Sequence, residues 1–79
     1  MNNIWNYQAV CETQYRPELG QYRTCGIQAS RKMMRGWEPI ELLHDVTVSN
    51  RFAEKIAKRF SLYQLSPLHL KDAVEDMLP

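Results

Sequence analysis

The sequence predicts an α+β fold in which a three-stranded antiparallel sheet is followed by a two-helix hairpin packed on one face, in the order β-β-β-α-α. Two observations carry the prediction: apolar and polar residues alternate in three stretches before residue 48, and apolar residues recur with helical spacing after it. Because the chain has only 79 residues, we expect one small domain, with the sheet over 1–48 and the helical hairpin over 49–79.

The first two strands are predicted to pair as an antiparallel hairpin. Residues 5–15 alternate with their odd-numbered side toward the core, residues 17–20 read Pro-Glu-Leu-Gly and predict a turn, and residues 21–30 alternate again. If Tyr15 lies opposite Gln21, then Cys11 lies opposite Cys25 and the apolar residues of both strands share one face. A shift of one residue would destroy that match, so the pattern predicts this register.

A third strand is predicted over 40–46, after a basic turn that contains Arg31, Lys32 and Arg35. Within it, Ile40, Leu42, His44 and Val46 alternate with Glu41, Leu43 and Asp45. Pro39 has no amide hydrogen to donate, so we expect it at the start of the strand or on an edge of the sheet.

Two amphipathic helices are predicted, over 49–63 and 66–78. The apolar stripe of the first contains Phe52, Ala53, Ile56, Ala57, Phe60 and Tyr63, and that of the second contains Leu70, Ala73, Val74, Met77 and Leu78. These residues recur at steps of three and four, which places each set on one helix face. Ser66 followed by Pro67 predicts the second start, because a serine oxygen accepts a free amide hydrogen of the first turn and proline needs no acceptor there.

Composition excludes several classes of protein. Hydrophobic residues are 44% and charged residues 24%, which is typical of a globular domain rather than a disordered chain. The net charge of +1 gives no overall field toward nucleic acid. No apolar run approaches the roughly 20 residues that span a bilayer, and residues 1–6 lack the basic-then-apolar pattern of a leader. We therefore expect a cytoplasmic protein with no membrane partner.

Cys11, Cys25, His44 and His69 raise the possibility of a zinc site. Structural zinc sites bring their ligands in close sequence pairs, whereas each of these residues is isolated, so we expect no metal and no cofactor. A disulfide between the two cysteines is conceivable across the strands. A reducing cytoplasm favours free, buried thiols instead.

The two histidines do not indicate catalysis. His44 is interpreted as a histidine at the edge of the core. His69 falls in the first turn of the second helix, where a half-exposed cap residue is more common than a general base or a partner contact. The sequence has no nucleophile with a base at local spacing and no glycine-rich phosphate loop, so an enzyme using His69 or a cysteine is the least favoured function.

A candidate partner surface lies on the second helix. His69, Asp72, Glu75 and Asp76 are polar, and the acidic residues crowd toward the helix C-terminus, where the helix dipole disfavours negative charge. The alternative is that these carboxylates pair with basic residues of the first helix or are simply solvated.

A candidate nucleic-acid surface consists of Arg31, Arg51, Lys55 and Lys58. The three on the first helix lie within one stripe and could follow a phosphate backbone. Glu54 interrupts them, and a solvated charged face is the usual explanation for such a pattern.

Three segments resemble a known family. They are Leu19-Gly20-x-Tyr22-x-Thr24-x-Gly26-Ile27, then Asp45-Val46-Thr47, then Ser66-Pro67-x-His69-Leu70-x-Asp72-x-Val74-Glu75-Asp76. The family comprises short uncharacterised proteins from Gram-positive, often spore-forming bacteria. Since its function is unknown, the resemblance implies no catalytic residues.

The sequence thus predicts a small, cytoplasmic, non-catalytic module for protein interaction or regulation. Its protein partner is unknown, and a homodimer is an open alternative because the core of so short a chain is small. A nucleic-acid-binding regulator is the second hypothesis.

Overall fold

The computed structural model describes residues 3–78 and has the predicted order of elements. These are β1 (Trp5–Arg16), β2 (Gly20–Met33), β3 (Gly36–Thr47), α1 (Asn50–Leu62) and α2 (Leu70–Met77), with a short 3₁₀ turn at Pro67–His69 before α2. The strands form one antiparallel sheet in the order β1-β2-β3, so the α+β fold class is confirmed. Met1, Asn2 and Pro79, which belong to the predicted domain, lie outside the described residues.

The predicted register of the first hairpin is confirmed. Tyr15 pairs with Gln21 and Cys11 with Cys25, and the remaining pairs follow without a shift. The turn closes where the Leu19 amide donates to the Arg16 carbonyl at 3.0 Å, and Gly20 adopts a φ of 72°. Glycine accepts this left-handed conformation without the steric cost that a Cβ atom would add.

The predicted basic turn at 31–35 is confirmed for Arg35 but wrong for Arg31 and Lys32, which belong to β2. β2 continues to Met33 and β3 begins at Gly36, so the hairpin is longer and its turn tighter than the sequence indicated. Pro39 lies inside β3, which is an edge strand, and next to a shift in register between Ala29 and Ser30. An edge position and a bulge are the two places where a sheet tolerates proline.

A second bulge breaks the predicted alternation of β3. Cys25 pairs with Thr47 and Ile27 with Leu43, so three residues of β3 face the single residue Gly26. A Cβ atom at Gly26 would clash with the Leu43 carbonyl oxygen, so only glycine fits beneath the bulge. Within the bulge Asp45 has a φ of 55°, which is rare for a residue other than glycine.

Both helix starts are confirmed to within a few residues. The Ser49 hydroxyl accepts from the Phe52 amide at 3.1 Å and caps α1. The Ser66 hydroxyl accepts from the Leu68 amide at 3.4 Å, but it caps the 3₁₀ turn, and regular α2 begins only at Leu70. The chain leaves α1 through Gln64, whose φ of 53° ends the helix.

One hydrophobic cluster joins the helices to the sheet. Its buried members are Tyr7, Cys25, Ile27, Ala29, Ala53, Ile56, Ala57, Phe60, Leu70 and Val74. Both predicted helical stripes therefore face a common core, as expected. Tyr63 and Leu78 are exceptions, because each follows the end of its helix and has an exposed side chain.

Tyr7 ties this core to the chain between the helices. Its ring meets the Phe60 ring edge to face, with centroids 5.6 Å apart, and its hydroxyl donates to the Leu65 carbonyl at 2.6 Å. Burial, with a smaller effect from the Glu41 carboxylate, raises the pKa of Tyr7 to about 12. The phenol therefore remains a hydrogen-bond donor across the physiological range.

The outer edge of β1 is closed by side chains of the helical layer. Gln64 Oε1 accepts from the Ile4 and Trp5 amides at 2.9 and 3.0 Å, and its Nε2 donates to the Trp5 carbonyl at 2.9 Å. Two positions on, the Tyr7 amide donates to Ser61 Oγ at 2.8 Å. These contacts take the place of a neighbouring strand, so this part of the edge offers no free ladder to another chain.

The expectation of free thiols is wrong: Cys11 and Cys25 form a disulfide. The predicted register had already placed the two residues directly opposite each other, whereas the argument for thiols rested only on the expected compartment. Cys11 Sγ also lies 3.3 Å from Asn50 Oδ1, a contact that becomes a hydrogen bond only when the thiol is reduced and carries its proton.

Reduction of this disulfide is expected to lower the free energy of unfolding by about 3 kcal/mol, the effect of opening a loop of this length in the unfolded chain. The two cysteines are separated by 14 positions. Urea unfolding with and without a thiol reductant measures the change, and a variant with Cys11→Ser and Cys25→Ser should not respond to the reductant. Equal midpoints for the oxidised and reduced wild type would contradict the expectation.

Candidate functional site

The predicted acidic surface is exposed on α2. His69, Asp72, Glu75 and Asp76 all face solvent, and Leu68 beside them is 84% exposed. Among residues 3–78, the ion pairs are Arg16 with Asp45 and His44 with Glu12, so these α2 carboxylates do not form the predicted pairs with α1. We call the row of Leu68, Asp72, Glu75 and Asp76 the α2 stripe.

The predicted basic surface does not keep Arg31 and Arg51 close together. Arg51, Lys55 and Lys58 are exposed on α1, whose N-terminus meets β1 at Cys11. Arg31 pairs with Trp5 at the opposite end of β1, six positions or about 20 Å away along the strand. The structure therefore does not bring Arg31 and Arg51 together into one phosphate-binding surface.

A third surface was missed in the sequence. Every residue from 31 to 40 is exposed, since the β2–β3 hairpin extends past the area that the helices cover. We call residues 31–40 the arm. Its tip encloses a shallow cleft of about 420 Å³ lined by residues 33–38, in which Met34 is fully exposed and Trp37 is 48% exposed.

The sequence did contain a signal for the arm. Met33, Met34 and Trp37 are large apolar residues within a segment that also carries Arg31, Lys32 and Arg35. Because the three cations were taken to predict a turn, the apolar residues between and beside them were not recognised as a separate signal. Methionine, tryptophan and arginine are the residue types enriched in protein interfaces, whereas exposed turns favour small polar residues.

A polar network covers the outer face of the sheet at the bulge. Thr24, which is buried, donates to Asp45 Oδ1 at 2.6 Å, and Arg16 holds Asp45 Oδ2 at 3.3 Å. Alongside, His44 Nδ1 lies 3.1 Å from Glu12 Oε1. His44 is therefore an exposed residue of this network, and its interpretation as a core-edge histidine is wrong.

The electrostatics of the network are mild. Two hydrogen bonds lower the pKa of the Glu12 carboxyl: the one from Gln14 has the larger effect, and the one from His44 has the smaller effect. The side chains of His44 and Glu12 are 59% and 43% exposed, so water competes with their contact. The bulge turns these groups toward solvent and not into a closed cavity where acid–base chemistry would be favoured.

No metal centre takes shape within residues 3–78. No group of three or more His, Cys, Asp or Glu side chains there is placed to hold an ion. Of the four residues considered for zinc, the two cysteines are consumed by their disulfide. Over the same residues, no helix is both long and apolar enough to cross a membrane.

Fold and surfaces together define a small α+β protein whose open sheet is covered by helices over only part of its length. The chain belongs to a family of unknown function, DUF6514, whose profile matches residues 1–79. This agrees with the resemblance to an uncharacterised family. No curated protein matches the chain, and no solved structure matches it.

Replacing Asp45 by Ala is expected to lower the free energy of unfolding by about 1–3 kcal/mol, because the buried Thr24 hydroxyl loses its 2.6 Å acceptor and keeps only the Thr47 carbonyl at 3.3 Å, and because alanine tolerates the left-handed backbone poorly. Asp45→Asn keeps an oxygen acceptor and suits that backbone, so it should lose less than about 1 kcal/mol, the worth of the exposed Arg16 pair. Thermal unfolding of both variants measures the difference. Equal losses would show that neither the acceptor nor the backbone conformation matters.

Proposed function

We propose that this protein is a non-catalytic interaction module that binds a protein partner through the arm. The observation that carries the proposal is the uninterrupted exposure of residues 31–40, where no element of residues 3–78 covers Met33, Met34 or Trp37. A domain of this size can bury only part of its apolar surface in its own core. Large apolar side chains that remain together in water are thermodynamically unfavourable, and such a patch often marks a surface that a partner covers.

The composition of the arm suits a protein interface. Trp37 and the two methionines supply adaptable apolar area, and Arg31, Lys32 and Arg35 supply charge around them. Tryptophan and arginine are the residues that most often dominate binding energy when a partner encloses them. The partner is therefore expected to offer an apolar surface with acidic groups at its rim.

The non-catalytic part of the proposal has its own support. His44 and Glu12 form the one histidine–carboxylate pair of residues 3–78, and water reaches both side chains. His69 occupies the N-cap position of α2, and its side chain makes no capping hydrogen bond there. A general base needs a positioned reacting group, and the contacts of these histidines provide none.

A cytoplasmic location stays a prediction of the sequence. There the thiol pool would keep many Cys11–Cys25 pairs reduced. The arm begins six positions after Cys25, about 20 Å along β2, so binding through the arm is expected in either redox state.

Replacing the apolar tip with Met34→Ser and Trp37→Ser should reduce partner recovery more than tenfold, because loss of an enclosed tryptophan typically costs more than about 2 kcal/mol. Affinity capture of the tagged full chain from its own host, with cross-linking and quantitative mass spectrometry, measures the recovery.

The matched control carries Val48→Ser and Leu62→Ser, two side chains that are each 74% exposed and lie outside the arm. It should recover the same partners as wild type. If the arm variant also recovers them undiminished, the arm is not the docking surface.

A further inference from the structure

The arm needs an acidic and partly apolar occupant. Its cations are Arg31, Lys32 and Arg35, whereas Glu38 is its one carboxylate. Glu38 pairs in register with Arg31, which leaves Lys32 and Arg35 beside Met34 without an acidic neighbour in the strand ladder. Opposite charge at the rim of an apolar contact sets the choice and orientation of a partner.

The α2 stripe has the complementary composition. Asp72, Glu75 and Asp76 are exposed and belong to none of the ion pairs formed within residues 3–78, and Leu68, which precedes α2, is also exposed. Glu75 and Asp76 lie in the last turn of α2, where the helix dipole leaves carboxylates less stable than they would be next to a cation, whereas Asp72 lies in the first turn, contrary to the expectation that all three crowd toward the C-terminus. Each surface thus lacks what the other supplies.

The two surfaces lie at opposite ends of β3. α2 packs beside the bulge, where Leu43 and Val46 share a cleft with Lys71 and Val74, whereas the arm ends at Gly36. Seven positions separate Leu43 from Gly36, or about 23 Å along the strand. One chain therefore cannot easily close its own arm on its own α2. Two chains related by a twofold axis, with their β3 strands antiparallel, would bring the arm of each chain to the end of β3 at which the other chain's α2 lies.

Pairing of sheet edges is disfavoured as a route to the same dimer. Gln64 and Ser61 close the outer edge of β1 at residues 4–7. On β3, Pro39 removes a donor, and antiparallel self-pairing about residues 39 and 40 would set Glu38 against Glu41 of the other copy. Edge pairing is thus disfavoured at residues 4–7 of β1 and about residues 39 and 40 of β3.

We propose that the partner of the arm is a second copy of this chain, bound reciprocally so that the arm of each protomer docks on the α2 stripe of the other. The inference rests on the proposed function, since it names the partner of the same surface. A twofold arrangement uses both contacts twice and closes on itself, so it yields a dimer and not a filament.

Charge reversal on the purified full-length chain tests the proposal. Variant one carries Lys32→Glu and Arg35→Glu, and variant two carries Asp72→Lys and Asp76→Lys. Each reversal sets like charges together in both contacts, so each variant alone should dissociate at least tenfold more readily than wild type in sedimentation equilibrium. The wild-type dimer should itself weaken as salt rises from low to high concentration.

An equimolar mixture of the two variants is the decisive test. In the mixed dimer, the acidic arm of variant one meets the basic α2 of variant two, and the basic arm of variant two meets the acidic α2 of variant one. Dimerisation should therefore return in the mixture alone, a gain that misfolding cannot mimic. A control variant with Lys55→Glu and Lys58→Glu, which reverses two charges on α1, should dimerise as strongly as wild type.

Two results would overturn the proposal. A wild type that stays monomeric up to millimolar concentration, or a mixture that stays monomeric while wild type dimerises, excludes the reciprocal contact. A monomer that sediments with vesicles of anionic phospholipid, and loses this in variant one, assigns the arm to a lipid surface instead. If the chain is monomeric but the serine variant of the arm still loses its captured partner, the proposed function stands with a different protein as partner.

Discussion

The structure depends on how the helical layer is fastened to the edge of β1. Gln64 follows α1 with a left-handed backbone, and its amide group bonds the Trp5 backbone as a neighbouring strand would. Ser61 Oγ likewise accepts a hydrogen bond from the Tyr7 amide, and the Tyr7 hydroxyl donates to the Leu65 carbonyl. These polar contacts fix where α1 crosses the sheet, and thereby which side chains of β2 become buried.

That attachment makes the molecule asymmetric along its strands. Ile27, Ile56 and Leu70 are fully buried at the covered end of the sheet, while β3 stays exposed from Gly36 to Leu42. A chain of this size has too few apolar residues to cover a sheet of this length. The uncovered arm is the consequence, and it explains why the features that suggest binding lie far from the core and not in a cleft within it.

Local rules predicted much of the fold because they act over few residues. The Cys11 to Cys25 register followed from period-two alternation, and Ser66 was recognisable as a cap. The bulge at Asp45 and the hydrogen bonds of Gln64 to the edge of β1 were not predictable, because each depends on atoms that come into contact only after folding. The arm was missed for a simpler reason. Its cations were taken to predict a turn, although Met33, Met34 and Trp37 in the same segment already indicated an apolar surface. The acidic residues of α2 were found, but their lack of ion pairs with α1 required the structure.

Amide hydrogen exchange followed by NMR tests most directly whether the helical layer closes the β1 edge. The Trp5 and Tyr7 amides point away from β2, yet they should exchange slowly in wild type and much faster when Gln64 and Ser61 are both replaced by Ala. Amides of the arm that point away from β2 should exchange fast in both proteins. If the Trp5 and Tyr7 amides of wild type exchange as fast as those of the arm, the edge is open and the account is wrong.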